Sequence, residues 1–197
     1  KMHKKHNITV FLIEDDSSQL KSIESLLEFK GFIVESFKNA NDFLSYRDIT
    51  RPSVLIADMR LPDLSGVDLY KALTDRGEDI PIIFISGESS IQQSIDAMKQ
   101  GAIDFLVKPF DINDLTNAID KATRIELKRV NLKILLKSLS PREKQVFDLL
   151  IQGLNNNELM EKINISLPTV KQYKSEVMRK LGAKSLSELM NLSNQTV

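Results

Sequence analysis

Five short apolar runs, at residues 8–13, 32–34, 54–57, 82–85 and 103–107, alternate with stretches whose apolar residues recur at helical spacing. The runs are rich in Ile, Val and Phe on consecutive positions, the pattern of strands buried on both faces. The first helical stretch, 17–30, places Leu20, Ile23, Leu26 and Leu27 on one side and is followed by Gly31, a C-terminal stop. Stretches 41–48, 67–75 and Ile91–Gln100 repeat the logic, with Gly77 and Gly101 just past two of the ends. Five such alternations predict an α/β doubly wound five-stranded parallel sheet over residues 7–122.

Polar residues close four of these runs in a fixed order: Glu14-Asp15-Asp16, Asp58, Ser86 and Lys108. In a doubly wound sheet the ligand site lies beyond the carboxyl ends of the strands, where all four fall. Each has an ordinary reading. Acids suit a helix start, a serine before Gly87 suits a turn, and a lone lysine is usually solvated. Taken together they describe a site. Clustered carboxylates repel one another, so a hard cation, Mg²⁺ or Mn²⁺, is their natural compensator. Asp58 can then act as a nucleophile toward phosphorus and form an aspartyl phosphate. The Ser86 hydroxyl, the Lys108 ammonium and nearby backbone amides would stabilise the charge on the transferring group. A magnesium-dependent phosphatase with an aspartate nucleophile is the enzymatic alternative. Such enzymes often carry a second carboxylate two residues on, and here that place is Arg60.

Charge separates the chain into parts. Residues 1–122 carry a net −6, residues 123–138 a net +4 and residues 139–197 a net +2, although the whole sums to zero. An acidic part followed by a basic one points to a nucleic-acid partner for the second. With no cysteine, disulfide frameworks and thiolate metal sites are excluded. Apolar stretches fall far short of the ~18 residues of a spanning helix. The basic residues 1–6 run into a strand pattern rather than an apolar leader segment. A cytoplasmic protein without membrane association is expected.

From Ile112–Lys137 the chain holds neither Gly nor Pro, and apolar residues recur at Ile112, Leu115, Ile119, Ala122, Ile125, Leu132 and Leu136. One long linker helix over 123–138, continuing out of the sheet domain, is predicted; the alternative is two helices with a break at 129–131. A continuous helix would hold the domains apart. Four shorter helical patterns follow over 139–197, giving an all-α four-helix domain. Ser140-Pro141 with Glu143 reads as a capping box, and Gly153 stops that helix. Residues 156–163 form the second. Ser166 caps a third that runs to Leu181, with Val170, Tyr173, Val177 and Leu181 inward and Gly182 at its end. Residues 185–192 form the fourth. The third helix turns Lys171, Gln172, Lys174, Ser175, Met178 and Arg179 outward, a face that a helix-turn-helix lays in the DNA major groove; a solvated basic face is the plainer alternative.

The strings Ile13-Glu14-Asp15-Asp16, Asp58 with Leu61-Pro62-Asp63-Leu64-Ser65-Gly66, Ser86-Gly87, and Asp104-Phe105-Leu106-Val107-Lys108-Pro109-Phe110 resemble those of a response-regulator receiver domain, the CheY-like fold. That resemblance implies a phosphoacceptor at Asp58, supplied by a sensor histidine kinase. It implies metal ligation by Glu14, Asp15, Asp58 and the Arg60 backbone carbonyl, and phosphoryl binding by Ser86, Lys108 and the backbone at Met59 and Gly87. Ser86 and Phe105 match the switch pair, Arg60 and Glu88 stand where relatives tune loss of the phosphate, and the Lys108–Pro109 bond is often cis.

In the second domain, Leu139-Ser140-Pro141-Arg142-Glu143, Gly153-Leu154-Asn155-Asn156-Asn157-Glu158-Leu159, Ile165-Ser166-Leu167-Pro168-Thr169-Val170-Lys171 and Lys180-Leu181-Gly182-Ala183 resemble the LuxR/FixJ-type DNA-binding domain. By that resemblance Lys171, Gln172 and Ser175 meet bases, while Asn157, Thr169, Lys174 and Lys180 meet phosphates. Together the two resemblances imply a two-component transcription regulator. Its phosphorylation would control homodimerisation and binding to double-stranded promoter DNA, with RNA polymerase as a further partner. A phosphorylation-independent regulator with a vestigial receiver is the second alternative.

Overall fold

The computed structural model describes residues 7–87 and 91–194. The basic residues 1–6 and Glu88, singled out above, lie outside them. The chain divides into two compact units, the first ending at Leu127 and the second beginning at Lys128.

In the first unit β1 (Thr9–Ile13), β2 (Ile33–Phe37), β3 (Ser53–Asp58), β4 (Ile82–Ser86) and β5 (Asp104–Val107) form one parallel sheet in the order β2-β1-β3-β4-β5. The helices between them are α1 (Ser17–Phe29), α2 (Ala40–Ser45), α3 (Gly66–Asp75) and α4 (Ile91–Gln100), and α5 (Ile112–Lys137) follows β5. The two-residue strand period sorts the apolar residues. Val10, Leu12, Val54, Ile56, Ile83 and Ile85 pack with Leu20, Ile23 and Leu27 of α1 and Leu115, Ala118 and Ile119 of α5. Phe11, Ile13, Leu55, Ala57, Ile82 and Phe84 pack on the other face with Phe43, Leu69, Leu73 and Ala97 of α2, α3 and α4. Fully burying each large aliphatic or aromatic side chain contributes roughly 1.5–3 kcal/mol, which explains why the strands read as unbroken apolar runs.

The register fixes the edge where chemistry gathers. Asp58 is level with Ile85, and Ser86 with Val107. Glu14 directly follows β1, and Lys108 directly follows β5. Strand order reverses between β1 and β3, so the carboxyl ends of that pair form the crevice of the sheet.

Two elements differ from their sequence patterns. β2 runs on to Phe37, past the polar Glu35 and Ser36, because it is an edge strand, where the Ser36 hydroxyl donates to Glu24 at 2.8 Å. α2 stops at Ser45, short of residue 48. Tyr46 leaves the helix and its ring joins Phe11 and Phe37, with centroids 6.0 and 5.3 Å away. α5 is one helix of 26 residues, without the break considered at 129–131.

The second unit contains α6 (Pro141–Ile151), α7 (Asn156–Ile163), α8 (Leu167–Leu181) and α9 (Leu186–Asn194). Both halves of the Ser140/Glu143 capping box are made, and Asn155 with Glu158 forms a second one at α7. Asn164 and Gly182 end α7 and α8 in left-handed conformations, with φ of 51° and 68°. Val146, Phe147, Leu150, Leu159, Val170, Val177, Leu181 and Leu189 form the core. Met178, expected on the outer face of α8, instead packs half-buried against this core. Among the described residues no helix is long and apolar enough to cross a membrane.

Candidate functional site

At the carboxyl edge of the sheet, the Lys108 ammonium donates to Asp58 Oδ2 at 2.8 Å and to Glu14 Oε2 at 3.0 Å. Asp58 is 7% and Glu14 1% exposed, whereas Asp15 is open to solvent. The other Asp58 oxygen accepts from the Arg60 amide at 2.8 Å. Glu14 Oε1 accepts from the Asp16 amide at 3.2 Å. Asp16 itself caps α1 by accepting from the Gln19 amide at 2.9 Å. Ligand oxygens of Glu14, Asp15 and Asp58 all lie within 4.8 Å of one another. An all-oxygen, carboxylate-rich set of that kind suits a hard divalent cation.

Burial raises the Glu14 carboxyl above its ordinary value; the hydrogen bond from Lys108 opposes this and the Asp58 charge adds to it. Burial on its own would lower Lys108, but its hydrogen bonds to Asp58 and Glu14 outweigh that and hold the ammonium above the ordinary lysine value. Lys108 is therefore a fixed positive charge between two acids. Ser86 is buried at the end of β4, and its carbonyl accepts from the Lys108 amide at 2.7 Å. Gly87 is exposed beside it. The Met59 amide donates to the Ile85 carbonyl at 2.8 Å, so it belongs to the β3–β4 edge, and it is the Arg60 amide that reaches the Asp58 carboxylate. Phe105 is half-buried against the α2–α3–α4 face. The Lys108–Pro109 bond is cis, as is Arg51–Pro52.

The loop after Asp58 is held at several points. Arg60 and Ser65 form a β-bridge, the Gly66 amide donates to the Met59 carbonyl at 2.9 Å, and Asp63 accepts from the amides of Ala40 and Asn41 at 3.1 and 2.8 Å. Burial raises the Asp63 carboxyl, yet these amides prevail and it lies below its ordinary value. Sequence reading missed this tether, because a carboxylate capping a helix 22 residues away leaves no local pattern.

In the second unit Lys171, Gln172 and Ser175 are exposed on α8 and Asn157 is exposed on α7. Thr169 is half-buried, with its hydroxyl 2.9 Å from that of Ser166. Lys174 donates to Asn156 at 2.9 Å. Lys180 donates to Glu143 at 2.6 Å and to the Ser138 carbonyl at 3.3 Å. Arg179 is paired with Glu176 at 2.7 Å. The exposed lysine on the face of α8 is thus Lys171, while Lys174 and Lys180 hold protein groups.

Residues 10–120 match the family model described as the response regulator receiver domain, and residues 137–193 match that of the bacterial regulatory proteins of the luxR family. The chain belongs to the response regulators. Nodulation protein W of Bradyrhizobium diazoefficiens is 40% identical over 193 residues, covering 93% of this chain and 84% of that protein. The transcriptional regulatory protein FixJ of Rhizobium meliloti is 34% identical over 192 residues, covering 94% of each. Among solved structures, the response regulator StyR superposes with a TM-score of 0.60 at 36% identity, covering 96% of this chain and all of that one.

This response regulator therefore couples a receiver domain of CheY-like fold to a LuxR-type DNA-binding domain, and it is a phosphorylation-regulated transcription regulator of a two-component system. The phosphatase alternative is set aside by the family assignment, since the acidic crevice alone is compatible with both.

Proposed function

We propose that Asp58 is the phosphoacceptor of this response regulator, taking its phosphoryl group from a phosphohistidine of a sensor histidine kinase. One observation carries the reading: Lys108 bridges Asp58 and Glu14 at the crevice of the sheet, with Ser86 buried at the end of the adjoining strand. The P–N bond to the imidazole breaks as the bond from an Asp58 oxygen to phosphorus forms, and the imidazole leaves. Lys108 is placed to donate to a phosphoryl oxygen, and Ser86 and the Gly87 amide adjoin the same edge. Glu14, Asp15, Asp58 and the Arg60 carbonyl would hold Mg²⁺ or Mn²⁺. When bound, the ion offsets the negative charge of the carboxylates and the phosphoryl oxygens.

Modification then shifts a pre-existing equilibrium between receiver conformations, read out as repacking of Ser86 and Phe105. Ile91, Ile95, Met98 and Val107 are exposed on α4 and β5, and this is the face on which two receivers pair. Pairing brings two α8 helices to half-sites about 10 bp apart, in the major groove. Lys171, Gln172 and Ser175 meet base edges, and Asn157 and Thr169 meet the backbone. The protein acts in the cytoplasm on promoter DNA, where RNA polymerase is its further partner.

The test is equilibrium DNA binding and sedimentation of wild type and Asp58→Asn, each with acetyl phosphate and Mg²⁺. Tighter binding and dimer formation by wild type alone support the reading. Equal affinities, with monomer throughout, reject it.

A further inference from the structure

An ammonium has three N–H bonds, and those of Lys108 face three acceptors. Besides Asp58 and Glu14, the Lys108 ammonium donates to Gln19 Oε1 at 2.5 Å. Gln19 belongs to the first turn of α1 and is exposed, and it lines a cleft of about 590 Å³ together with Ser18, Ser22, Gly87, Lys108 and Phe110. Its backbone amide is held by the Asp16 side chain, and the Asp16 amide in turn is held by Glu14, so the Gln19 side chain is not part of the helix cap.

We propose that Gln19 is a positioning residue that occupies the third N–H of Lys108 in the resting state and gives it up when a phosphoryl group arrives. The inference rests on the reading of Asp58 as phosphoacceptor. A phosphoryl oxygen bound to Lys108 needs an N–H that is already in use. The ammonium assists all three bonds, but those to Asp58 and Glu14 join opposite charges, whereas the one to Gln19 joins a charge to an amide dipole on an exposed side chain. The bond to the neutral Gln19 amide is the one released, and the ammonium keeps its hold on the carboxylates. The Gln19 bond thus belongs to the resting state and not to the transition state, so it opposes phosphorylation to a limited degree. A carboxylate in its place would hold the third N–H more firmly and add a negative charge.

The experiment compares wild type, Gln19→Met and Gln19→Glu in full-length protein with acetyl phosphate and Mg²⁺. In this reaction the P–O bond to acetate breaks, acetate leaves, and the bond to Asp58 forms. Methionine keeps length and helix propensity without a strong acceptor. The rate of phosphorylation is expected to rise roughly threefold to tenfold in Gln19→Met, the net worth of one hydrogen bond from an exposed side chain for which water competes. In Gln19→Glu it is expected to fall by at least about fivefold.

Loss of the phosphoryl group after removal of acetyl phosphate starts from a state in which Gln19 has already let go. Its rate in Gln19→Met is therefore expected to match wild type. A residue that merely stabilised α1 would move both rates, or neither. An unchanged or slower phosphorylation rate in Gln19→Met, or a decay rate that moves by the same factor, overturns the role of Gln19 while leaving Asp58 as the acceptor. If wild type itself gains no phosphoryl group, both fall together.

Discussion

Lys108 and Asp58 are 50 residues apart in the chain, and their side chains meet at 2.8 Å. The same ammonium holds Glu14 at 3.0 Å, so one positive charge separates two nearly buried acids. Lys108→Met leaves those acids facing each other without their cation. Removing one partner of a buried ion pair costs about 3–5 kcal/mol, and partial exposure of the lysine brings this toward ~2 kcal/mol. Urea unfolding of the receiver is expected to show that loss, and millimolar Mg²⁺ to recover part of it by binding the folded state. No loss would mean the acids are already well solvated.

Glu126 is fully buried on α5 and accepts from both Arg51 Nε and Arg51 Nη2, the latter at 2.5 Å, and from the Ser53 amide at 2.8 Å. Arg51 also reaches Asp79 at 2.9 Å. Glu126→Ala leaves a buried amide and a guanidinium without this acceptor, so it is expected to destabilise the receiver by about 3–5 kcal/mol. Glu126→Gln keeps an acceptor for Ser53 and is expected to lose less. Denaturant midpoints of the two variants check the order.

Gly66 opens α3 where a side chain has no room. A Cβ there would lie 2.5 Å from Met59 Sδ and 2.9 Å from a ring carbon of Phe84. Met59 follows Asp58 and Phe84 lies on β4, so Gly66→Ala presses on the strands that carry the site. A loss of about 1–3 kcal/mol is expected from overpacking, measured by thermal or urea unfolding, along with slower phosphorylation. Unchanged values of both would show that this corner yields.

These contacts mark what can be read from the chain and what cannot. Glu14, Asp58, Ser86 and Lys108 were legible because each is a polar residue closing an apolar run, and parallel strands carry such ends to one edge. The caps at Ser140 and Ser166 and the stop at Gly182 were legible because their chemistry is local. The pairs Arg51–Glu126, Gln19–Lys108, Asp63–Asn41 and Glu143–Lys180 were not, since a contact between distant side chains imposes no periodicity on either segment. The apolar run of β2 ends at Val34 while the strand continues to Phe37, because an edge strand tolerates Glu35 and Ser36. Met178 sits at a position that helical spacing assigns to the rim, yet its flexible thioether packs against the core.

The Glu143–Lys180 pair predicts a pH response in the DNA-binding unit. The hydrogen bond from Lys180, with help from the Ser140 amide, holds Glu143 below its ordinary value of 4.5. A lowered carboxyl contributes stability that is present above the ordinary value and is lost as pH falls through the folded one. Amide exchange at Ser140 and Glu143 is expected to accelerate in that acid range, and Glu143→Gln to remove this part of the response.

Lys171 and Lys180 should separate recognition from folding. Lys171→Ala is expected to weaken DNA binding by about 1–3 kcal/mol through one position of the operator, the loss of a base-edge contact. A loss equal across sequences, with the slope of log affinity against log salt lowered by about 0.9, would place it on a phosphate instead. Lys180→Ala is expected to act mainly on stability, since its ammonium is engaged by Glu143 and Ser138. Salt titrations and unfolding curves of both variants distinguish these outcomes.

The most direct measurement is peptide mass spectrometry of the full chain after incubation with acetyl phosphate and Mg²⁺, with the labile acyl phosphate trapped by borohydride. One modified position, Asp58, is expected, and no modification in Asp58→Asn. Modification at another acid of the crevice, or none under conditions that phosphorylate a related receiver, would contradict Asp58 as the phosphoacceptor.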